Sequence, residues 1–280
     1  MSNNITLLDG ALGTMLWELS GTAGEVWKLN LTHPEIVAQL HTMYIEAGAQ
    51  IIASNTFSAN EYAARKSGEH VAQVVAAGVK IAKSAAQGKA VKVALDIGPL
   101  PELLEPYGDL TEEECEQAYR EILSAGSAQA PDLIFFETFM DVEMLKIAVK
   151  VASEYALPIF CSMTFAPMGK TMMGNSVCDM IEGLAEYDIA AIGLNCSDAP
   201  ASLLRVIEEF RANTDKPLIF KPNAGLPQQQ DGKDVYQSGE ATFAQDMLPV
   251  LALGAVYIGG CCGTTPSHIK ALKAAVQAKG

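Results

Sequence analysis

VLALGAVYIGGCCGTTP, residues 250–266, contains one structural unit from end to end. Gly254 stands where a helical pattern stops, and glycine readily takes the left-handed backbone of a helix C-cap. Residues 256–259 form a short apolar run rich in β-formers. Gly260, Cys261, Cys262 and Gly263 break that run, and Thr265-Pro266 then supplies a capping residue and a first-turn proline for a following helix.

The same order recurs along the chain. Apolar runs at residues 5–8, 50–54, 91–95, 133–136, 159–163, 190–194, 218–220 and 256–259 alternate with longer segments of helical period. Thr32 with Glu35 and Thr111 with Glu114 predict capping boxes at helix starts, and Gly48 predicts another C-cap. Continuous apolar strands alternating with helices call for a parallel sheet buried on both faces. Eight such units close a barrel, so the expectation is an α/β fold, a (β/α)8 TIM barrel, with residues 1–280 as a single domain. A doubly wound open sheet is the alternative, but no Gly-x-Gly-x-x-Gly or P-loop pattern follows any strand. Residues 20–31 and 224–240 read as longer strand-to-helix loops.

Composition narrows the function. A 49% hydrophobic content allows a large core, and no run approaches the roughly 20 apolar residues of a membrane span. Residues 1–6 show neither a basic region nor a long apolar run, so a cytoplasmic protein is expected. The net charge of −14, with basic residues scattered singly, argues against binding nucleic acid or an anionic membrane. Six cysteines in a chain of this kind are expected to be reduced, which leaves metal binding or catalysis for any that cluster.

In a barrel the chemistry sits where the strands end. Here those positions carry Asp9-Gly10, Asn55-Thr56, Asp96, Glu137-Thr138, Thr164, Asn195-Cys196, Lys221-Pro222-Asn223 and Gly260-Cys261-Cys262. Cys196 follows the sixth run and Cys261-Cys262 the eighth, so the three thiols are placed to converge. Thiolates suit zinc, and three protein ligands leave a fourth position open for substrate. Neighbouring side chains in a regular strand point to opposite faces, so an adjacent pair needs the glycine-rich loop in order to chelate. The alternative is that all three are simply buried as small hydrophobes. Cys115 and Cys178, in helical segments, and Cys161, inside a strand, fit that packing role. Asp9 and Glu137 are candidates for acid–base work or for holding a cationic group, whereas Asp96, before Ile97-Gly98-Pro99, equally fits a turn cap. The four histidines lack metal-ligand spacing and read as structural or exposed. Trp17, Trp27, Met168, Met172 and Met173 read as packing residues, with the methionine-rich stretch also suited to an apolar surface for a bulky partner.

These motifs, taken in order, resemble the homocysteine S-methyltransferase family over nearly the whole chain. Asp9-Gly10-Ala11-Leu12-Gly13-Thr14 resembles the family's opening DGAxGT. Asn55-Thr56-Phe57 resembles its NTF, and Glu137-Thr138-Phe139 its ETF. Gly193-Leu194-Asn195-Cys196-Ser197 and Gly259-Gly260-Cys261-Cys262-Gly263-Thr264-Thr265 resemble its zinc-ligand segments. Lys221-Pro222-Asn223-Ala224-Gly225 with Asp231-Gly232-Lys233-Asp234-Val235-Tyr236 is most similar to the homocysteine-binding module of cobalamin-dependent methionine synthase. Residues 197–200 depart from the pattern, since many relatives have a glycine before the proline.

The resemblance implies a zinc ion held by Cys196, Cys261 and Cys262, with the homocysteine sulfur as fourth ligand and methionine as product. Asp9 and Glu137 are implied toward the amino group, with Gly10, Thr56 and Asn195 completing the substrate site. The methyl donor is expected to be methylcobalamin or a separate corrinoid protein, because the chain ends soon after its last cysteine motif. An S-methylmethionine- or betaine-type enzyme is the alternative. Two further readings of the cysteines are a zinc hydrolase or lyase with Glu137 as base, which an all-thiolate ligand set disfavours, and a non-catalytic zinc or corrinoid-partner scaffold.

Overall fold

In the computed structural model, which describes residues 5–22, 24–230 and 233–279, the eight apolar runs become eight parallel strands. They are β1 (Thr6–Leu7), β2 (Ile51–Ala53), β3 (Lys92–Ile97), β4 (Leu133–Phe139), β5 (Ile159–Met163), β6 (Ala191–Asn195), β7 (Leu218–Lys221) and β8 (Ala255–Ile258). β1 lies beside β8, and the order runs on through β7, β6, β5, β4 and β3 to β2. The seam between β2 and β1 is closed by a parallel bridge between Leu8 and Ile51. There the Gln50 amide donates to the Leu7 carbonyl at 2.7 Å, and the Leu7 amide donates to Gln50 Oε1 at 2.9 Å. The result is a single (β/α)8 barrel.

Alternation along the strands divides the core in two. Leu8, Ile51, Ala94, Leu133, Phe135, Phe160, Ala191 and Ile219 cluster together, joined by Tyr257, and fill the barrel interior. The opposite faces pack beneath a ring of helices: α1 (Pro34–Ala47), α2 (Val71–Ala86), α3 (Glu112–Ser127), α4 (Val142–Ala152), α5 (Val177–Gly183), α6 (Leu204–Asn213), α7 (Glu240–Ala252) and α8 (Pro266–Lys279). No helix among the described residues is long and apolar enough to cross a membrane.

Several local expectations hold. Thr111 and Glu114 form the capping box of α3. Gly48 takes the left-handed C-cap of α1, with φ of 112°, and Gly254 has φ of 87° after α7. Others are corrected. Thr32 does not cap α1. It ends a short helix, Leu29–Thr32, and its hydroxyl donates to the Lys28 carbonyl at 3.1 Å, while Pro34 makes its own residue the first turn of α1 after His33. The stretch 20–31 is not a plain loop, for helix Gly13–Ser20 runs into it and a 3-10 turn, Val26–Lys28, follows. The loop after β7 carries an antiparallel hairpin, Gln228–Gln230 with Lys233–Val235. Asp96 caps no turn, because β3 continues through it: Asp96 pairs with Phe135 and Ile97 with Phe136.

His41 is fully buried on α1, whose inward face also carries Val37, Leu40 and Tyr44. Burial holds its imidazole down to about 4, and neither ring nitrogen has a hydrogen-bond partner. The unfolded chain therefore binds a proton that the folded one refuses between pH 6.5 and about 4, and stability falls as pH drops through that window. The loss scales to about 3 kcal/mol at most. His41→Leu is expected to remove this component, read as a flatter decline of the unfolding midpoint with acidification.

Candidate functional site

Three sulfurs meet at the rim where the strands end. Cys196 directly follows β6 and adopts φ of +46°, a left-handed conformation uncommon outside glycine. Its amide donates to the Lys221 carbonyl at 3.2 Å. Cys261 and Cys262 follow β8, and their loop is tied to its neighbours on both sides. Gly260 N donates to the Asp9 carbonyl at 3.0 Å, Cys261 N to Pro222 at 2.8 Å, and Ala224 N to the Cys262 carbonyl at 3.0 Å. Gly263 turns the chain with φ of +78°, and a Cβ there would collide with the Tyr236 ring at 2.1 Å.

The three Sγ atoms lie within 4.8 Å of one another, and Cys196 and Cys262 are 3.6 Å apart. A tetrahedral ion with metal–sulfur bonds of about 2.3 Å needs sulfurs about 3.8 Å apart, so the cluster can hold a metal ion with small adjustments. Hydrogen bonds from Cys196 and Cys261, and then from the Tyr236 hydroxyl, pull Cys262 down to about 3, well inside the thiolate range. Cys196, which donates, is raised. For Cys261 the Cys196 contact works downward, but Cys262 and burial carry it up to about 12.

Beside the sulfurs lies a buried charge cluster that the barrel's inner-face alternation creates. Ile219 and Lys221 point inward from β7, Ala94 and Asp96 from β3, and Phe135 and Glu137 from β4. Lys221 Nζ donates to Asp9 Oδ1 at 3.1 Å and to Glu137 Oε2 at 3.3 Å, and sits 5.6 Å from the centre of the Phe135 ring. Asp9 Oδ2 accepts from the Ala53 amide at 2.7 Å. Burial raises Asp9, against the pull of Lys221, and raises Glu137 to about 7. Burial alone would neutralise Lys221, but Asp9 and Glu137, with Cys261 and Asp96, hold its proton well above the ordinary lysine value. Asp96 is raised well above the ordinary carboxylate value, by burial first and the Glu137 charge second.

A cavity of about 310 Å³ joins the two clusters. Cys196, Cys261, Cys262, Asp96, Glu137 and Lys221 form its polar side, and Ala11, Leu12, Trp17, Val26 and Phe57 its apolar wall. Of the residues expected at the substrate, Gly10 and Glu137 line this cavity. Asp9 stands behind Lys221. Thr56 stands behind Asp96, donating to its carbonyl at 2.6 Å. Asn195 is also one layer back: Oδ1 accepts from the Thr138 amide and Ser162 hydroxyl, each at 2.7 Å, and Nδ2 donates to Thr138 Oγ1 at 2.7 Å. Its Nδ2 also approaches Cys261 Sγ at 4.0 Å. Lys221 and Asp96 are read from sequence as polar residues at strand ends, without their inward roles in the charge cluster. A lysine closing the apolar run Leu218–Phe220 was the available signal for the first.

The sequence pattern of homocysteine S-methyltransferases matches residues 6–276. The chain belongs to the homocysteine S-methyltransferase family. It is 28% identical over 301 residues to methionine synthase of Mycobacterium tuberculosis (strain ATCC 25618 / H37Rv), covering 99% of this chain and 25% of that protein. It thus spans about a quarter of the length of that relative. It superimposes on the oxidized form of the Escherichia coli homocysteine methyltransferase MmuM with a TM-score of 0.82, at 25% identity, covering 98% of this chain and 96% of that one. For the metallated form of MmuM the TM-score is 0.81 at 24% identity, covering 98% and 96%.

Replacing Lys221 by methionine keeps the side-chain length but leaves Asp9 and Glu137 buried without their cation. Removing one partner of a buried ion pair costs about 3–5 kcal/mol. The Lys221→Met variant is expected to lose stability on that scale in urea unfolding, with Glu137→Gln in the same background recovering part of it.

Proposed function

We propose that Cys196, Cys261 and Cys262 would hold one zinc ion and that the protein methylates homocysteine to methionine at its thiol. The observation that carries this reading is the opening of three sulfurs, all within 4.8 Å of one another, onto the same cavity as a buried carboxylate–lysine cluster. Zinc in such a site would supply Lewis acidity that turns a thiol into a thiolate at neutral pH. The donor set is all sulfur, which selects a soft or borderline ion over magnesium or calcium.

The protein's own groups do the rest. The cysteine loop fixes the direction from which the thiol approaches. The cavity's carboxylates receive the amino group of the amino acid, while Gly10 and the backbone at the start of helix Gly13–Ser20 lie where its carboxylate would be held. The apolar wall of Leu12, Trp17, Val26 and Phe57 keeps water from the sulfur. Thr56 and Asn195 act from behind, as supports for Asp96 and for Thr138. No side chain near the sulfurs is needed as a general base, and none of the four histidines lines the cavity.

For the methyl donor, the resemblance to the homocysteine-binding module of cobalamin-dependent methionine synthase favours methylcobalamin or a corrinoid protein. Exposed Phe57, Leu103, Tyr107, Met168, Met172 and Leu226 lie on loops after β2, β3, β5 and β7, at the same end of the barrel as the cavity. They offer an apolar surface to a large partner.

Calorimetry of L-homocysteine against zinc-loaded and metal-stripped protein tests the thiol assignment. Binding with proton release is expected in the loaded sample alone; equal binding in both, or none in either, removes homocysteine from the reading. Cys261→Ala is expected to lose bound zinc, measured by elemental analysis after dialysis, together with turnover. Turnover that persists without zinc overturns the metal's role.

A further inference from the structure

We infer that Asn195 is a positioning residue of the sulfur cluster: its side-chain amide aims one N–H at Cys261 Sγ and serves that sulfur as a hydrogen-bond donor when a metal ion ionises it. This rests on the reading above that the three cysteines would hold a metal, and it gives a task to a residue that lies behind the cavity wall.

An asparagine side chain accepts at its oxygen and donates two hydrogen bonds from its nitrogen. Its neighbours tell the two atoms of the Asn195 amide apart. The Thr138 backbone N–H can only donate, so the atom 2.7 Å from it is Oδ1, and the Ser162 hydroxyl donates to the same oxygen at 2.7 Å. Nδ2 therefore faces the other way. One of its N–H groups donates to Thr138 Oγ1 at 2.7 Å, and the other is directed at Cys261 Sγ, 4.0 Å away. Asn195 is fully buried, so bulk water does not compete for that second N–H, and a buried donor without an acceptor is costly. A neutral thiol accepts weakly and a thiolate well. Ionising Cys261 gives the N–H the partner it faces.

The amide is held where it can do this. Asn195 ends β6 in register with Lys221, and its own carbonyl accepts from the Thr164 and Ser197 hydroxyls at 3.2 and 3.0 Å. Its side chain thus spans from the bulge of β4 to the cysteine loop after β8, while the next residue, Cys196, belongs to the cluster itself. Three thiolates on a divalent ion leave one negative charge in excess, in a site too buried for water to disperse it. A fixed N–H at one sulfur takes up part of that charge and sets the direction of the sulfur. Groups that grip a ligand from behind orient it and tune the metal in this way.

The test uses cobalt(II) as the probe, because its sulfur-to-metal charge-transfer band reports directly on the thiolates. Affinity is measured for cobalt and zinc by competition with a chelator. Asn195→Leu removes the donor, and Asn195→Asp keeps an acceptor for Thr138 and Ser162 while placing oxygen where the N–H was. Each is expected to weaken metal binding about ten- to hundredfold and to move the band to lower energy, since a thiolate without its hydrogen bond gives up electrons more readily. Ser162→Ala removes a partner of Oδ1, leaves Nδ2 alone, and should keep both readouts close to wild type. Unchanged affinity and band in the folded Asn195 variants overturn the inference. So does an equal loss in Ser162→Ala, which marks Asn195 as a packing residue only. A second measurement needs no variant: in wild-type protein carrying isotope-labelled asparagine, the amide proton adjacent to Thr138 is expected to move downfield on cadmium loading and to couple to the metal nucleus. No such shift overturns the inference even if the variants fail to fold. If the wild type takes up no metal at all, the zinc reading itself falls and takes the inference with it.

Discussion

One buried ammonium group governs the mouth of this barrel. Lys221 is 3% exposed and has its charge where water cannot solvate it, so its ionisation depends on the carboxylates around it, and theirs on it. Such an arrangement is poor value as a stabilising device, since buried ion pairs seldom recover the cost of desolvation. Its worth lies in geometry. Asp9 ties it to the β1–β2 seam through Ala53, Glu137 ties it to β4, and Lys221 itself ends β7. Three parts of the rim are held in fixed relation by one nitrogen.

The backbone departs from ideal geometry at the same place. β4 shifts register against β5 between Phe136 and Phe139, bracketing Glu137 and Thr138, and Thr138 has φ of +65°. A bulge of this kind re-aims side chains near active sites. Cys196 carries the other left-handed non-glycine backbone at the site. Asn195 links the two: it immediately precedes Cys196, and its side chain grips Thr138 through both amide and hydroxyl. Strain at functional sites persists only where surrounding contacts over-determine it, and this one buried amide supplies several of those contacts.

The barrel was legible because inner and outer faces of a closed parallel sheet are both apolar, which leaves uninterrupted runs between helical segments. The three cysteines were legible because a vicinal pair among glycines has few packing explanations. Other features escaped for physical reasons. Thr32 and Glu35 have the spacing of a capping box, yet a proline between them set the helix start. Strand ends were placed one to three residues early because Asp96, Glu137, Asn195 and Lys221 are polar, and polarity reads as loop; here each lies within its strand, Asp96, Asn195 and Lys221 in the ladder and Glu137 in the bulge of β4. Local pattern cannot show that Asp9 and Lys221, far apart in the chain, satisfy each other.

The placement of the sulfurs also bears on the order in which the molecule is put together. β8 fills the gap between β7 and β1, and two of the three sulfurs arrive on the loop that follows it. A chain that has assembled only its first seven strands presents Cys196 alone, a single thiol with no chelate to offer. A metal ion held by all three sulfurs would therefore need the final strand in place, and the cysteine loop that would hold it is bonded to both neighbouring strand ends.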